Sequence, residues 1–255
     1  MAIDKPLYTA IPVRTDRQIG PDKMGWHSPS YTVSRSVTLD PKTVLGNRCV
    51  AFDGSAPEVE RYKMLRTQIM RRSEQYGGNT VMVTSAVPGE GKTLTAINLA
   101  MTFAKEFSQT ALLVDCDLRQ QRIHEVLGFD GSKGLADHLM DGEPLANLIV
   151  WPGIEKLTVI SGGKTIAGSS EFLGSPGMKS LVEEMKTRYP ERYVIFDLPP
   201  VLSGADTLAF APLVDHIVLV VQAGRTAAGD IRKALQLLPP EKVVGLVLNR
   251  QQGGS

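Results

Sequence analysis

Ser85-Ala-Val-Pro-Gly-Glu-Gly-Lys-Thr93 follows an apolar run, Thr80 to Ser85, and opens a helical pattern. It has the form Ala/Gly-x4-Gly-Lys-Ser/Thr, with Ala86 where glycine is usual, in the strand-to-helix setting that a phosphate loop needs. Gly89 and Gly91 let the backbone wrap an anion without side-chain interference. The N–H groups from Gly89 through Glu90, Gly91 and Lys92 to Thr93, with Leu94 next in line, then point inward at the positive end of the helix. Lys92 would reach the outer phosphates as a point charge, and the Thr93 hydroxyl would ligate Mg²⁺.

Two further runs each end in an aspartate: Leu112-Leu-Val-Asp-Cys-Asp-Leu-Arg119 and Tyr193-Val-Ile-Phe-Asp-Leu-Pro-Pro200. Such strands deliver carboxylates to the sheet edge where the loop holds a polyphosphate. Asp197 stands where a carboxylate holds the metal, often through water. Asp115 and Asp117 are two residues apart, so on a strand both face one way. One would assist the metal and the other take a proton from an incoming hydroxyl; the spacing does not apportion the roles. The catalytic candidates are therefore Lys92, Asp115, Asp117 and Asp197, and the metal candidates Thr93, Asp115 and Asp197.

Outward from these segments, strands at 80–85, 110–115, 156–161, 193–197, 216–221 and 243–248 alternate with helices at 93–107, 121–127, 134–140, 176–188 and 226–237. The strands are continuous runs of Val, Ile and Leu, the pattern of a sheet covered on both faces. The expected fold is α/β: a doubly wound, mostly parallel sheet of the P-loop NTPase type over 58–250. A helix from Pro57 precedes it, with Tyr62, Leu65 and Ile69 on one stripe. Residues 1–57, rich in Pro, Ser, Thr, Asp and Gly, read as a loosely attached arm in which Val44 to Phe52 has the character of a short docking strand. Residues 251–255 read as a short tail.

Composition excludes some partners. The 255 residues carry a net charge of +1, which argues against nucleic acid or an anionic membrane as a bulk electrostatic partner. Two cysteines without metal-ligand spacing fit a reducing compartment. No run of about 18 apolar residues is present, so work at a membrane would require a partner to bring the chain there.

The order of phosphate loop, apolar-Asp-x-Asp-x-Arg and apolar-Asp-x-Pro-Pro resembles the bacterial tyrosine kinases. The likeness runs from about Glu58 to Arg250 and includes Asp197-Leu-Pro-Pro-Val-Leu-Ser-Gly-Ala-Asp206, Ala211-Pro-Leu-Val-Asp215 and Gly245-Leu-Val-Leu-Asn249. The resemblance implies a cytoplasmic autokinase that uses ATP and Mg²⁺ to phosphorylate tyrosine and regulates capsule or exopolysaccharide synthesis and export. It further implies a homo-oligomer recruited to the inner face of the membrane by an adaptor, a polysaccharide chain-length protein. It makes Asn249 the residue that reads the adenine edge.

Two departures stand out. The family's subunit-pairing Glu-x-x-Arg-x-x-Arg is here Glu60-x-x-Lys63-x-x-Arg66, and lysine lacks the bidentate fork. The family's C-terminal tyrosine cluster has no counterpart in Arg250-Gln-Gln-Gly-Gly-Ser255. Acceptors are then expected in the arm, at Tyr8 and Tyr31, or on another protein. The alternatives are a catalytically weak ATP-binding regulator and a partitioning-type ATPase; the latter carries a second lysine where this chain has Val87. Ser161-Gly-Gly163 reads as a strand-ending turn and Cys116 as a small buried side chain.

Overall fold

Thr80-Val-Met-Val-Thr-Ser85 is buried at every position, because the strand it forms lies inside the sheet with helices on both faces. The computed structural model describes residues 34–251. Its strands are β1 (Arg35–Ser36), β2 (Thr80–Ser85), β3 (Thr110–Asp115), β4 (Ile149–Trp151), β5 (Leu157–Ile160), β6 (Arg192–Asp197), β7 (His216–Gln222) and β8 (Val243–Asn249). They form one sheet in the order β1-β4-β5-β3-β6-β2-β7-β8. Neighbours are parallel except β4 against β5, so β4 and its parallel partner β1 both run against the other six.

The two-residue period of a strand sorts the core into two layers. Met82, Leu112, Val114, Val194, Phe196 and Leu219 face one layer, which the helices Pro176–Thr187 and Ala228–Leu237 cover. Val81, Val83, Leu113, Ile195, Val218 and Val220 face the other. There α3 (Lys92–Ala104) lies against the sheet, buried at every residue from Thr95 onward, and α2 (Val59–Tyr76) crosses outside it. Of the expected α2 stripe, Ile69 is fully buried and Tyr62 and Leu65 are half-buried.

The reading of 1–57 as a loose arm needs correction over its described part. Val44, Cys49 and Ala51 are fully buried in the layer beneath α3. Val44 belongs to a helix, α1 (Pro41–Gly46), not a strand. Asp40 caps it, accepting from Lys42 N at 3.2 Å and Thr43 N at 3.1 Å, and Pro41 takes the first helical position. The Asn98 side chain accepts from Ala51 N at 2.9 Å, which fastens the segment to α3. Tyr8 and Tyr31, the expected acceptors, lie outside the described residues. Helix α3 ends at Ala104, short of the expected 107.

Candidate active site

The loop after β2 obtains its shape from two glycines at positive φ, Gly89 at 86° and Gly91 at 92°. Gly91 is constrained twice: a Cβ there would overlap Asn249 Nδ2. That amide donates to the Glu90 carbonyl at 2.8 Å, and its Oδ1 accepts from Arg250 N at 2.8 Å. Asn249, expected at an adenine edge, thus braces the loop from the end of β8.

Glu90 is turned inward and is 2 % exposed. One carboxylate oxygen accepts from Val87 N at 2.8 Å; the other takes the Thr226 hydroxyl and, at 3.4 Å, Gln222 N. Its side chain holds the loop to the end of β7, leaving only its backbone for an anion. Leu94 likewise packs its side chain into the layer beneath α3. Sequence reasoning assigned Glu90 to the ligand because it sits inside the motif; the Thr226 partner, far away in the chain, left no signal.

Strand register sets the acidic part of the site. Asp115 and Asp197 are direct neighbours across β3 and β6, at the edge where the loop leaves β2. The Lys92 ammonium lies 2.9 Å from Asp117 Oδ2 and 3.3 Å from Asp197 Oδ1. Burial works against its charge, but Asp197 and Asp117 outweigh that and raise the Lys92 pKa. Burial raises Asp197, against the pull of Lys92 and the Thr93 hydroxyl.

Asp115 and Asp117 have different surroundings. Asp115 is fully buried; its Oδ1 accepts from Asp117 N at 3.2 Å and its Oδ2 from Arg122 N and Ile123 N, both at 3.1 Å. Burial first, then the neighbouring Asp197, pushes its carboxyl up to about 7. Expected as a metal ligand, Asp115 spends both oxygens on the backbone that shapes the loop carrying Asp117. Asp117 is the one that meets Lys92.

Asp197 Oδ2 is buried and, among the described residues, accepts no hydrogen bond. An unpartnered buried carboxylate oxygen is costly, and a hydrated cation is the partner that would satisfy it. Among the described residues no three His, Cys, Asp or Glu groups form a metal cage by themselves. The donor set therefore fits an ion held by the Thr93 hydroxyl, Asp197 through water, and phosphate oxygens.

One further clamp escaped the sequence reading. Arg119 Nε donates to Ser169 Oγ at 2.9 Å, Arg119 pairs with Asp206 at 3.4 Å, and Ser169 donates to the same carboxylate. It ties the loop after Asp117 to the segment after Asp197. Arg119 and Asp206 each sit inside a recognised motif, which was the available signal; Ser169 had none. Ser161-Gly-Gly163 is a strand-ending turn, its Ser161 carbonyl accepting from Leu135 N at 2.8 Å. Cys116 is buried in the first core layer.

A mostly parallel sheet with a phosphate loop after an inner strand, and carboxylates from the next two strands at the same edge, defines a P-loop nucleotide-binding protein. A family model for an AAA domain matches residues 78–239. Tyrosine-protein kinase YwqD of Bacillus subtilis (strain 168) is 34% identical over 192 residues, covering 74% of this chain and 80% of YwqD. The succinoglycan biosynthesis transport protein ExoP of Rhizobium meliloti (strain 1021) is 33% identical over 199 residues, 74% of this chain but 24% of ExoP. Among solved structures the chimerical protein CapA2B2 superposes with a TM-score of 0.75 at 26% identity, covering 87% of this chain and 95% of that one. The chain belongs to the bacterial tyrosine-protein kinases, a branch of the P-loop fold.

Proposed function

We propose that this chain transfers the γ-phosphoryl group of ATP to tyrosine hydroxyls in the control of capsular or exopolysaccharide synthesis. The observation that supports this most is Lys92 set between Asp117 at 2.9 Å and Asp197 at 3.3 Å, at the mouth of a loop shaped by Gly89 and Gly91. Phosphoryl transfer needs little covalent help from the protein: it needs positioning and neutralisation of spreading charge. Lys92 moves its charge from the carboxylates to the outer phosphates, and the N–H groups from Gly89 to Thr93 fix their place.

Asp117, once Lys92 is engaged with phosphate, is the carboxylate free to accept the proton of an incoming phenol. Thr93 and Asp197 would hold a magnesium ion, whose chemistry is to neutralise charge on the phosphate oxygens. Asp115 fixes the loop carrying Asp117. The acceptor tyrosine lies in the N-terminal arm or on a second protein. The ExoP likeness favours work beside a polysaccharide exporter. Among the described residues no helix is long and apolar enough to cross a membrane. By the family resemblance, a membrane adaptor would recruit the chain to the inner face. By the same resemblance the chain would work as a homo-oligomer.

The test is transfer of label from γ-labelled ATP, with and without a candidate adaptor, read as phosphotyrosine and as inorganic phosphate. Phosphotyrosine is expected. Release of inorganic phosphate alone would put the chain with the partitioning-type ATPases.

A further inference from the structure

We propose that Glu90 and Thr226 are positioning residues that set how tightly the phosphate loop holds its nucleotide. Their hydrogen bonds shape the loop before the ligand arrives, and the buried Glu90 charge then limits the loop's grip. The inference goes beyond the kinase reading and needs only that the loop binds a nucleotide phosphate.

A carboxylate is an unexpected side chain to bury in an anion-binding loop. The loop offers polyphosphate the positive ends of its N–H dipoles and the Lys92 ammonium. Glu90 brings the opposite charge, 2 % exposed, and among the described residues it belongs to no ion pair. Its carboxylate is satisfied by uncharged donors alone: Val87 N at 2.8 Å on one oxygen, the Thr226 hydroxyl and Gln222 N at 3.4 Å on the other. A charge buried without a counter-ion persists only where hydrogen bonds replace its water, so these bonds are integral to the loop.

The partners show what the side chain holds. Val87 lies three residues before Glu90, so one oxygen closes the loop on itself across Gly89, whose φ is 86°. The other oxygen reaches the turn after β7, which is fastened in its own right. Thr226 N and Arg225 N donate to the Gln222 carbonyl at 3.1 and 3.3 Å, and Ala223 N donates to the Asn249 carbonyl at 2.9 Å. The Thr226 hydroxyl accepts from Gln222 N at 2.8 Å, which directs its proton to Glu90. Valine has nearly the shape of threonine and can make neither bond.

Hydrogen bonds and charge act on affinity in opposite directions. The bonds to Val87, Gln222 and Thr226 order the N–H groups from Gly89 to Thr93 in advance, so binding does not have to order them. The negative charge lies in the same loop, in surroundings of low dielectric, and repels a bound polyphosphate. Glutamine at position 90 separates the two effects. Its carbonyl can accept from Val87 N, its amide can donate to the second lone pair of the Thr226 hydroxyl, and the charge is gone.

The full chain and its variants are titrated with ADP by calorimetry, with and without Mg²⁺. Amide hydrogen exchange over residues 86–93 is followed in the nucleotide-free proteins, and thermal melts check that each is folded. Glu90→Gln should bind Mg·ADP at least about threefold more tightly, with loop exchange as in the wild type. The gain should be larger for ADP without Mg²⁺, which carries more negative charge. Thr226→Val should bind at least about threefold more weakly, with faster loop exchange, while Thr226→Ser, which keeps the hydroxyl, should restore both to within about twofold of wild type. Equal or weaker binding by Glu90→Gln overturns the inference, as does an equal gain with and without Mg²⁺. Wild-type affinity and exchange in Thr226→Val overturn it too, whether or not a Glu90 variant folds. No ADP binding by the wild type overturns both the inference and the nucleotide-binding reading of the loop.

Discussion

The amide nitrogen of Asn249 lies where a Cβ on residue 91 would have to go, and it donates from there to the Glu90 carbonyl at 2.8 Å. The last strand thus reaches across the sheet end to hold the phosphate loop, and Gly91 is glycine both for its φ of 92° and for this neighbour.

Gly91→Ala should therefore be damaging in two ways. The left-handed backbone costs about 1–2 kcal/mol, and moving Asn249 aside breaks its bond to Glu90. Thermal melts should show a loss of several degrees and nucleotide titrations a weaker affinity. Adding Asn249→Ala should not restore binding, because the φ penalty and the missing brace both remain. Wild-type affinity in the double variant would refute this account.

Lys92→Ala should reduce tyrosine phosphorylation by at least about 100-fold, the scale lost when one preorganised charge is removed from a transition state. Circular dichroism should remain that of a folded α/β protein, since Asp115 keeps its backbone donors and the helix keeps its packing. Asp197→Ala should behave alike. Full turnover in either variant would contradict the assignment of the site.

Asp215 provides the pH test. It accepts from Asn79 N at 3.1 Å, Thr80 N at 3.2 Å and Thr80 Oγ1 at 2.6 Å, and pairs with Lys186. Burial favours its neutral form, but Lys186 and the Thr80 donors outweigh that and hold the carboxyl below its ordinary 3.8. A carboxyl lowered on folding stabilises fully above its unfolded value and loses that contribution as pH falls through the folded one. Urea midpoints should drop below about pH 4, and Asp215→Asn should flatten that decline while costing about 1–3 kcal/mol at pH 7. An identical acid decline in the two proteins would remove Asp215 from the explanation.

Arg66 and Lys63, neighbours on the face of α2 where the family pairs its subunits, should differ sharply. Arg66 meets Glu106 at 2.8 Å and donates to the Thr102 carbonyl at 2.8 Å, strapping α2 to α3; its side chain is 14% exposed. Among the described residues Lys63 pairs only with Glu60, one turn away on the surface. Denaturant curves should give about 1–3 kcal/mol for Arg66→Ala and under about 0.5 kcal/mol for Lys63→Ala. Equal costs would show that the strap is not what stabilises this face.

The repeating strand and helix pattern was legible because the inner strands β2, β3, β5, β6 and β7 are buried along almost their whole length on both faces and so are mostly apolar, which marks them in the sequence without knowledge of their neighbours. The segment 34–57 was not legible for the opposite reason. Its composition is polar, and only Val44, Cys49 and Ala51 are fully buried, fastened through Asn98 on a helix far along the chain. The Asp40-Pro41 pair was a local signal for α1 that the wider polarity obscured.

The same division holds within the site. A phosphate loop and strand-ending aspartates are local patterns, because a backbone that wraps an anion needs glycines at set spacing and a strand end presents its carboxylate wherever it is placed. The sequence by itself therefore determined the fold class, the loop and the set of candidate acids. Which donors each acid meets was decided by tertiary contacts. Strand register set Asp115 beside Asp197, backbone donors from residues 122 and 123 claimed Asp115, and Lys92 was left to Asp117. Side-chain roles depend on which donors approach each oxygen in space, and chain spacing carries no record of that.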